Sequence, residues 1–215
     1  MSKLLDGKAL AGQVREEIKR EIAESDIKPC LALINASDDA ASATYVKHKR
    51  RACDEVGIQS LLFQPFGQNA CELPHLPDPE AKLLEVVEDC NRQDFIHGIL
   101  VQLPLPACVD TGKVFDLIRP EKDVDVFNPK NVGLLLQDRA KFLTCTPHGI
   151  HLLLKRNGID VKGKDVVVVN SSNIVGKPLF ALLLHAGATV TVCHRFTKNL
   201  QAHVERADVV VAAAG

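Results

Sequence analysis

The stretch Asp165-Val166-Val167-Val168-Val169-Asn170-Ser171-Ser172-Asn173-Ile174-Val175-Gly176-Lys177-Pro178 runs from four consecutive valines, through a polar segment, to a glycine and a proline. Branched side chains fit a pleated sheet, and an unbroken apolar run suits a strand covered on both faces, as in a parallel sheet. The polar residues after Val169 predict a tight turn, and a helix follows it. Strand, turn and helix in this order open a mononucleotide-binding unit, in which N–H groups at the helix start hold a phosphate; they also describe an ordinary strand–helix connection. Of a glycine fingerprint only Gly176 is present, because Asn170 stands where the first glycine would be.

Downstream, the spacing predicts a helix with Leu179, Leu182 and Leu183, a strand at Thr189–Val192, a helix with Leu200 and Val204, and a strand at Val209–Val211. That is one βαβαβ half of a Rossmann-type domain. With Gly215 directly after the third strand, the expectation is an incomplete nucleotide domain with an exposed sheet edge. Upstream, Leu10, Val14, Ile18 and Ile22 stripe a first helix. Strand Cys30–Ile34, a loop over 35–39, helix Ser42–Val56, strand Ile58–Phe63, a loop over 64–79, a helix through Leu83 to Val87 and a proline-stopped strand at His97–Pro106 follow. This alternation favours a parallel sheet. A helix closing at Val114–Ile118 and a charged connection over 119–125 lead to Thr146-Pro147, which reads as a capped helix start. The expected architecture is α/β with two domains, a substrate domain at 1–145 and the dinucleotide half-domain at 146–215.

The chain's 215 residues are 46% hydrophobic and 25% charged, with a net charge of -1, which fits a globular protein and gives no electrostatic reason to expect nucleic acid or an anionic membrane as partner. No apolar run approaches the roughly 20 residues of a membrane span. The residues after Met1 lead directly into a helical pattern, so no signal or transit peptide is expected. Seven cysteines, odd in number and without a C-x-x-C pair, argue against a disulfide framework and a zinc site, hence for a reducing compartment, most simply the cytoplasm.

Several side chains have a chemical reading beside a plain one. Tyr45 and Lys49, four apart, share a helix face, either addressing one ligand or forming part of a solvated basic face with Lys47, Arg50 and Arg51. Gln102 ends its strand at the edge where open α/β sheets bind ligands, or simply terminates it. Asp123 and Asp125 lack neighbours that would complete a ligand set, so no metal is expected. His148 and His151 read as an exposed helical pair.

Seven segments, in order, resemble the bifunctional methylenetetrahydrofolate dehydrogenase/methenyltetrahydrofolate cyclohydrolase family: Leu5-Asp6-Gly7-Lys8-Ala9-Leu10-Ala11; Ser42 with Tyr45-Val46-x-x-Lys49; Gly98 to Pro106; Lys122-Asp123-Val124-Asp125; Cys145-Thr146-Pro147-x-Gly149; Ile174-Val175-Gly176-x-Pro178; and Ala188 to His194. The resemblance implies two reactions at one site: oxidation of 5,10-methylene-tetrahydrofolate by hydride transfer, then hydrolysis of the methenyl cation to 10-formyl-tetrahydrofolate. It implies Lys49 as general acid/base, Gln102 as its orienter, Tyr45 as a folate-packing residue, Asp125 as acceptor for the pterin N–H groups, and Ser42 on the substrate side. Cys145, Ser171, Ser172, Ile174, His194 and Arg195 fall on its cofactor side, and a homodimer is implied.

The chain departs from the family pattern where it matters for the cofactor. Asn170 and Ser171 replace Gly and Arg of G-R-S-x-I-V-G; Asn is expected to keep the turn by tolerating a left-handed backbone, while the lost Arg resembles a 2′-phosphate partner. Cys193-His194-Arg195 offers no acid for a free ribose hydroxyl, which leans to NADP with NAD nearly even. Val126 stands where the family has glycine, strained if that position has positive φ, and Thr144 replaces a proline. The alternative reading is a non-catalytic or cyclohydrolase-only relative acting through binding or dimerisation.

Overall fold

The computed structural model describes residues 4–37, 40–66, 71 and 78–213. The loop expected over 64–79 lies mostly outside these residues, as do Asp38 and Asp39. Contacts divide the chain into two units, Lys8–Val124, and Asp125–Gly215 with Met1–Gly7. The division falls at Val124, not at 145, because the intervening segment forms a helix that packs within the second unit.

In the first unit, α1 (Gly7–Ala23), β1 (Cys30–Asn35), α2 (Ala40–Val56), β2 (Gln59–Phe63), α3 (Pro79–Arg92), β3 (Gly98–Gln102) and α4 (Thr111–Leu117) follow in order. The strands form a parallel sheet in the order β2-β1-β3. Ile34, Leu83, Val87, Ile96, Ile99 and Val114 are essentially inaccessible and knit the sheet to α3 and α4; each such burial contributes roughly 1.5–3 kcal/mol. Asp78 caps α3 by accepting from the Glu80 N–H at 3.0 Å, with Pro79 in the first turn.

Lys122 finishes that helix from the other end. Its buried Nζ donates to the carbonyls of Cys90, Asn91 and Gln93 at 3.1, 2.9 and 2.7 Å, so a cation meets the negative end of the helix dipole and the carbonyls that close the helix, that of Gln93 also accepting from the Ile96 N–H at 3.1 Å. The next residue, Asp123, forms a parallel bridge with Ile99. Gly98 makes room for this crossing, since a β-carbon there would lie 2.6 Å from Val124 Cγ1.

In the second unit, α5 (Pro129–Leu136), α6 (Cys145–Arg156), β4 (Asp165–Val169), α7 (Gly176–His185), β5 (Thr189–Cys193), α8 (Leu200–Glu205) and β6 (Val209–Ala212) build a parallel sheet in the order β5-β4-β6. Val166, Val167 and Val168 are at most 2% exposed, as the apolar run required of a central strand.

Several expectations need correction. Helix α5 was not anticipated, although Asn128-Pro129 carries its signal: the Asn128 side chain accepts from the Lys130 N–H at 2.9 Å and Pro129 sits in the first turn. Helix α6 begins at Cys145 with Thr144 in the cap position, and Thr144 Oγ1 is buried without a hydrogen bond, so neither threonine caps it through its side chain. His151 is not exposed: its Nδ1 is buried without a partner, and burial, His148 and Lys155 push its pKa down. Cys71 and Cys108 form a disulfide across 37 residues, which spacing rules for local cysteine pairs do not detect. The cysteine count therefore loses its force as an argument for a reducing compartment. Among the described residues no helix is long and apolar enough to cross a membrane.

Candidate functional site

Each unit gathers polar groups at the C-terminal ends of its strands. In the first, register places Asn35 of β1 beside Gln102 of β3, and α2 brings Lys49 over that edge. Lys49 Nζ donates to Gln102 Oε1 at 3.0 Å; Gln102 Nε2 donates to the Leu103 carbonyl at 2.7 Å; Ser42 Oγ donates to the same carbonyl at 3.5 Å. The Leu103–Pro104 peptide is cis. Because the amide N–H is committed to the backbone, the orientation of Gln102 is fixed by the network, and its oxygen faces the amine. Ser42 is 2% exposed, Lys49 half-buried and Tyr45 62% exposed. A held amine therefore sits beside an open aromatic face one helical turn away. The Leu103 carbonyl, which joins Gln102 and Ser42, is a backbone group that residue types could not reveal.

Asp125 belongs to the other unit, half-buried, where it accepts from Cys145 Sγ at 3.5 Å. The exposed Cys145 opens α6. Among the described residues no three His, Cys, Asp or Glu side chains gather as a metal site would require.

The second unit's edge combines the turns after β4 and β5, which end side by side at Val169 and Cys193. Asn170 has no positive φ, so the turn does not rest on a left-handed backbone as expected. It rests on the Asn170 carboxamide instead: Oδ1 accepts from the N–H groups of Ser172 at 2.8 Å and Gly176 at 3.0 Å, while Nδ2 donates to the Ala213 carbonyl at 2.7 Å. The approach is so close that a β-carbon on residue 176 would lie 2.1 Å from the Asn170 carbonyl oxygen. Only glycine fits there. Ser171, Ser172 and Ile174 are exposed around this turn. After β5, His194 Nδ1 accepts from the Phe196 N–H at 3.1 Å, and the Arg195 guanidinium lies 4.5 Å from the centre of the exposed Phe196 ring. Both His194 and Arg195 are exposed, and no carboxylate stands among residues 193–197. Strand, glycine-dependent turn and a cationic second turn are elements of a dinucleotide site, with the N–H groups of Ser172 and Gly176 here engaged by the Asn170 carboxamide.

A parallel α/β unit with an amine–carboxamide pair at its strand ends, followed by a βαβαβ unit with a glycine-dependent turn, defines the class: a two-domain protein with a Rossmann-type second half. Residues 5–125 match the family model for the tetrahydrofolate dehydrogenase/cyclohydrolase catalytic domain, and residues 144–215 match that for the NAD(P)-binding domain of the same family. The chain belongs to the tetrahydrofolate dehydrogenase/cyclohydrolase family. It is 47% identical over 219 residues to the bifunctional protein FolD of Moorella thermoacetica, covering 100% of this chain and 74% of that protein. The crystal structure of the bifunctional FolD from Campylobacter jejuni superposes with a TM-score of 0.91 at 44% identity, covering 99% of this chain and 74% of that one. The Trypanosoma brucei enzyme, solved with NADP and an inhibitor, gives 0.90 at 32% identity, covering 100% and 72%.

Proposed function

We propose that the chain acts in one-carbon folate metabolism, oxidising 5,10-methylene-tetrahydrofolate with a nicotinamide dinucleotide and hydrolysing the methenyl product to 10-formyl-tetrahydrofolate. The observation that carries this reading is the Lys49–Gln102–Leu103–Ser42 network. In the hydrolysis, water adds to the methenyl carbon and Lys49 Nζ takes one of its protons; Lys49 then gives that proton to N5 as the carbon–N5 bond breaks, and the remaining hydroxyl proton leaves to solvent as the formyl C=O forms, so one proton is released overall. Gln102 aims the amine. Tyr45 offers its exposed ring to the flat folate, and Asp125 accepts from paired N–H donors of the pterin. Ser42 holds the backbone beneath Gln102. The dinucleotide, when bound, supplies the hydride acceptor for the first reaction. Toward it the chain offers the Gly176 turn with Ser171, Ser172 and Ile174, Cys145 at the start of α6, and His194 with Arg195 after β5. The exposed Arg195 and the lack of a nearby carboxylate favour NADP over NAD.

Parallel assays of methylene oxidation with NADP and NAD, and of methenyl hydrolysis with neither, test the reading. A purified chain that is inactive in all three overturns it. A second reading, hydrolysis without dehydrogenation, is favoured by the occupied turn at Asn170. A cytoplasmic location and a homodimer complete the proposal; light scattering on the purified chain should give twice the 23.4 kDa chain mass.

A further inference from the structure

The start of α7 leaves no room for an anion as it stands. Val175 N–H donates to Ser172 Oγ at 3.1 Å, Gly176 N–H to Asn170 Oδ1 at 3.0 Å, and Lys177 N–H to the Ser172 carbonyl at 3.0 Å; the next residue, Pro178, has no N–H. Ser172 N–H, in the turn itself, also goes to Asn170 Oδ1. One carboxamide oxygen thus sits where two converging donors would meet a phosphate oxygen, and Ser172 takes two more groups. The Asn170 side chain is anchored on its other side by the Ala213 carbonyl at the end of β6, so it cannot leave without breaking three hydrogen bonds.

We infer that Asn170 is an internal occupant of the dinucleotide phosphate position, one that the cofactor must displace, so this side chain lowers cofactor affinity. The inference rests on the proposed use of this turn for NADP or NAD. A phosphate is the stronger acceptor, because its bonds to N–H groups are charge-assisted. Displacement is therefore feasible, but the chain binds only through the fraction of molecules in which the carboxamide has swung out, and apparent affinity falls by that fraction. Because Asn170 does not have positive φ, alanine fits its backbone and frees the donors without a conformational conflict.

The test is equilibrium binding of NADP and NAD, by nicotinamide fluorescence or calorimetry, to the full chain and to Asn170→Ala and Asn170→Asp. Removing the occupant should tighten binding about tenfold, the worth of roughly one net hydrogen bond. Asn170→Asp, which keeps the acceptor and adds a negative charge against the phosphate, should weaken it. A residue that merely braced the loop would give the opposite sign in Asn170→Ala, and equal or weaker binding by that variant overturns the inference while leaving the cofactor reading intact. If no form binds either dinucleotide, both fall. Should Asn170→Ala fail to fold, amide NMR of the unaltered chain decides: saturating NADP must shift the Ser172 and Gly176 amides and the Asn170 side-chain NH2, and unmoved signals refute displacement.

Discussion

The carboxyl ends of β3, the edge strand of its sheet, and β4, the central strand of its own, both carry an amide side chain, yet they use it in opposite ways. At the end of β3, Gln102 turns outward from the strand to hold another functional group, the Lys49 amine, at 3.0 Å. At the end of β4, Asn170 turns inward and satisfies its own turn. The difference shows why a polar residue at a strand's carboxyl end is not by itself a ligand site: what matters is whether its capacity is aimed at another side chain or consumed by the local backbone.

The sharpest way to break this contrast is to remove the amine. Lys49→Met keeps most of the side-chain volume at a half-buried position, so thermal unfolding should change little while methenyl hydrolysis falls roughly a hundredfold to ten-thousandfold, the usual worth of a positioned acid/base. A spectrophotometric hydrolysis rate within a factor of two of the parent would remove Lys49 from the mechanism. Gln102→Ala tests the orienter: the amine survives but loses its partner, and the rate should drop by up to about a hundredfold from misplacement alone. Since dinucleotide binding belongs to other residues, it should be unchanged in both variants.

Much of this architecture was legible in the chain because its signals are local and redundant. The Val166–Val169 run reads as a covered strand, and the alternation of striped helices with apolar runs favours a parallel sheet upstream and a βαβαβ half downstream, as the strand pairing in both sheets bears out. The Lys49–Gln102 pair was reachable only through the family resemblance: the residues are 53 apart, and no spacing rule joins them. What escaped were features set by tertiary geometry. The Asn170 turn was expected to work through its backbone, whereas the close approach of residue 176 lets the side chain do it. The Cys71–Cys108 bridge and the buried Nδ1 of the half-buried His151 likewise depend on neighbours far along the chain or on packing, which composition does not record.

One short motif, Lys122 to Asp125, contains both kinds of residue, and a stability measurement separates them. Lys122 spends its donors on three carbonyls at the end of α3. Lys122→Met leaves those acceptors without the cation, and urea unfolding should show a loss of about 2 kcal/mol, in the range for hydrogen bonds to a charged group. Below the transition the variant should still hydrolyse the methenyl compound at a normal rate. A selective loss of rate with unchanged stability would instead make Lys122 part of the chemistry.

Val126 gives the smallest effect and a clean sign. It follows Asp125 with φ of +62° at 1% exposure, packed with Leu135, Ala181 and Leu182. A branched residue in the left-handed region is strained, and it persists here because burying the isopropyl group offsets the conformational cost. The two contributions separate once the side chain is cut to alanine, since further truncation to glycine then changes mainly the backbone preference. At Val168, an extended position in β4 that is fully buried, Ala→Gly should cost about 1 kcal/mol. At position 126 the same step should stabilise by about 1 kcal/mol, because glycine alone adopts positive φ without penalty. Denaturant midpoints for the four variants give both differences directly. If glycine is the less stable at both positions, the family's glycine was not a requirement of this turn, and Val126 is held by packing without strain.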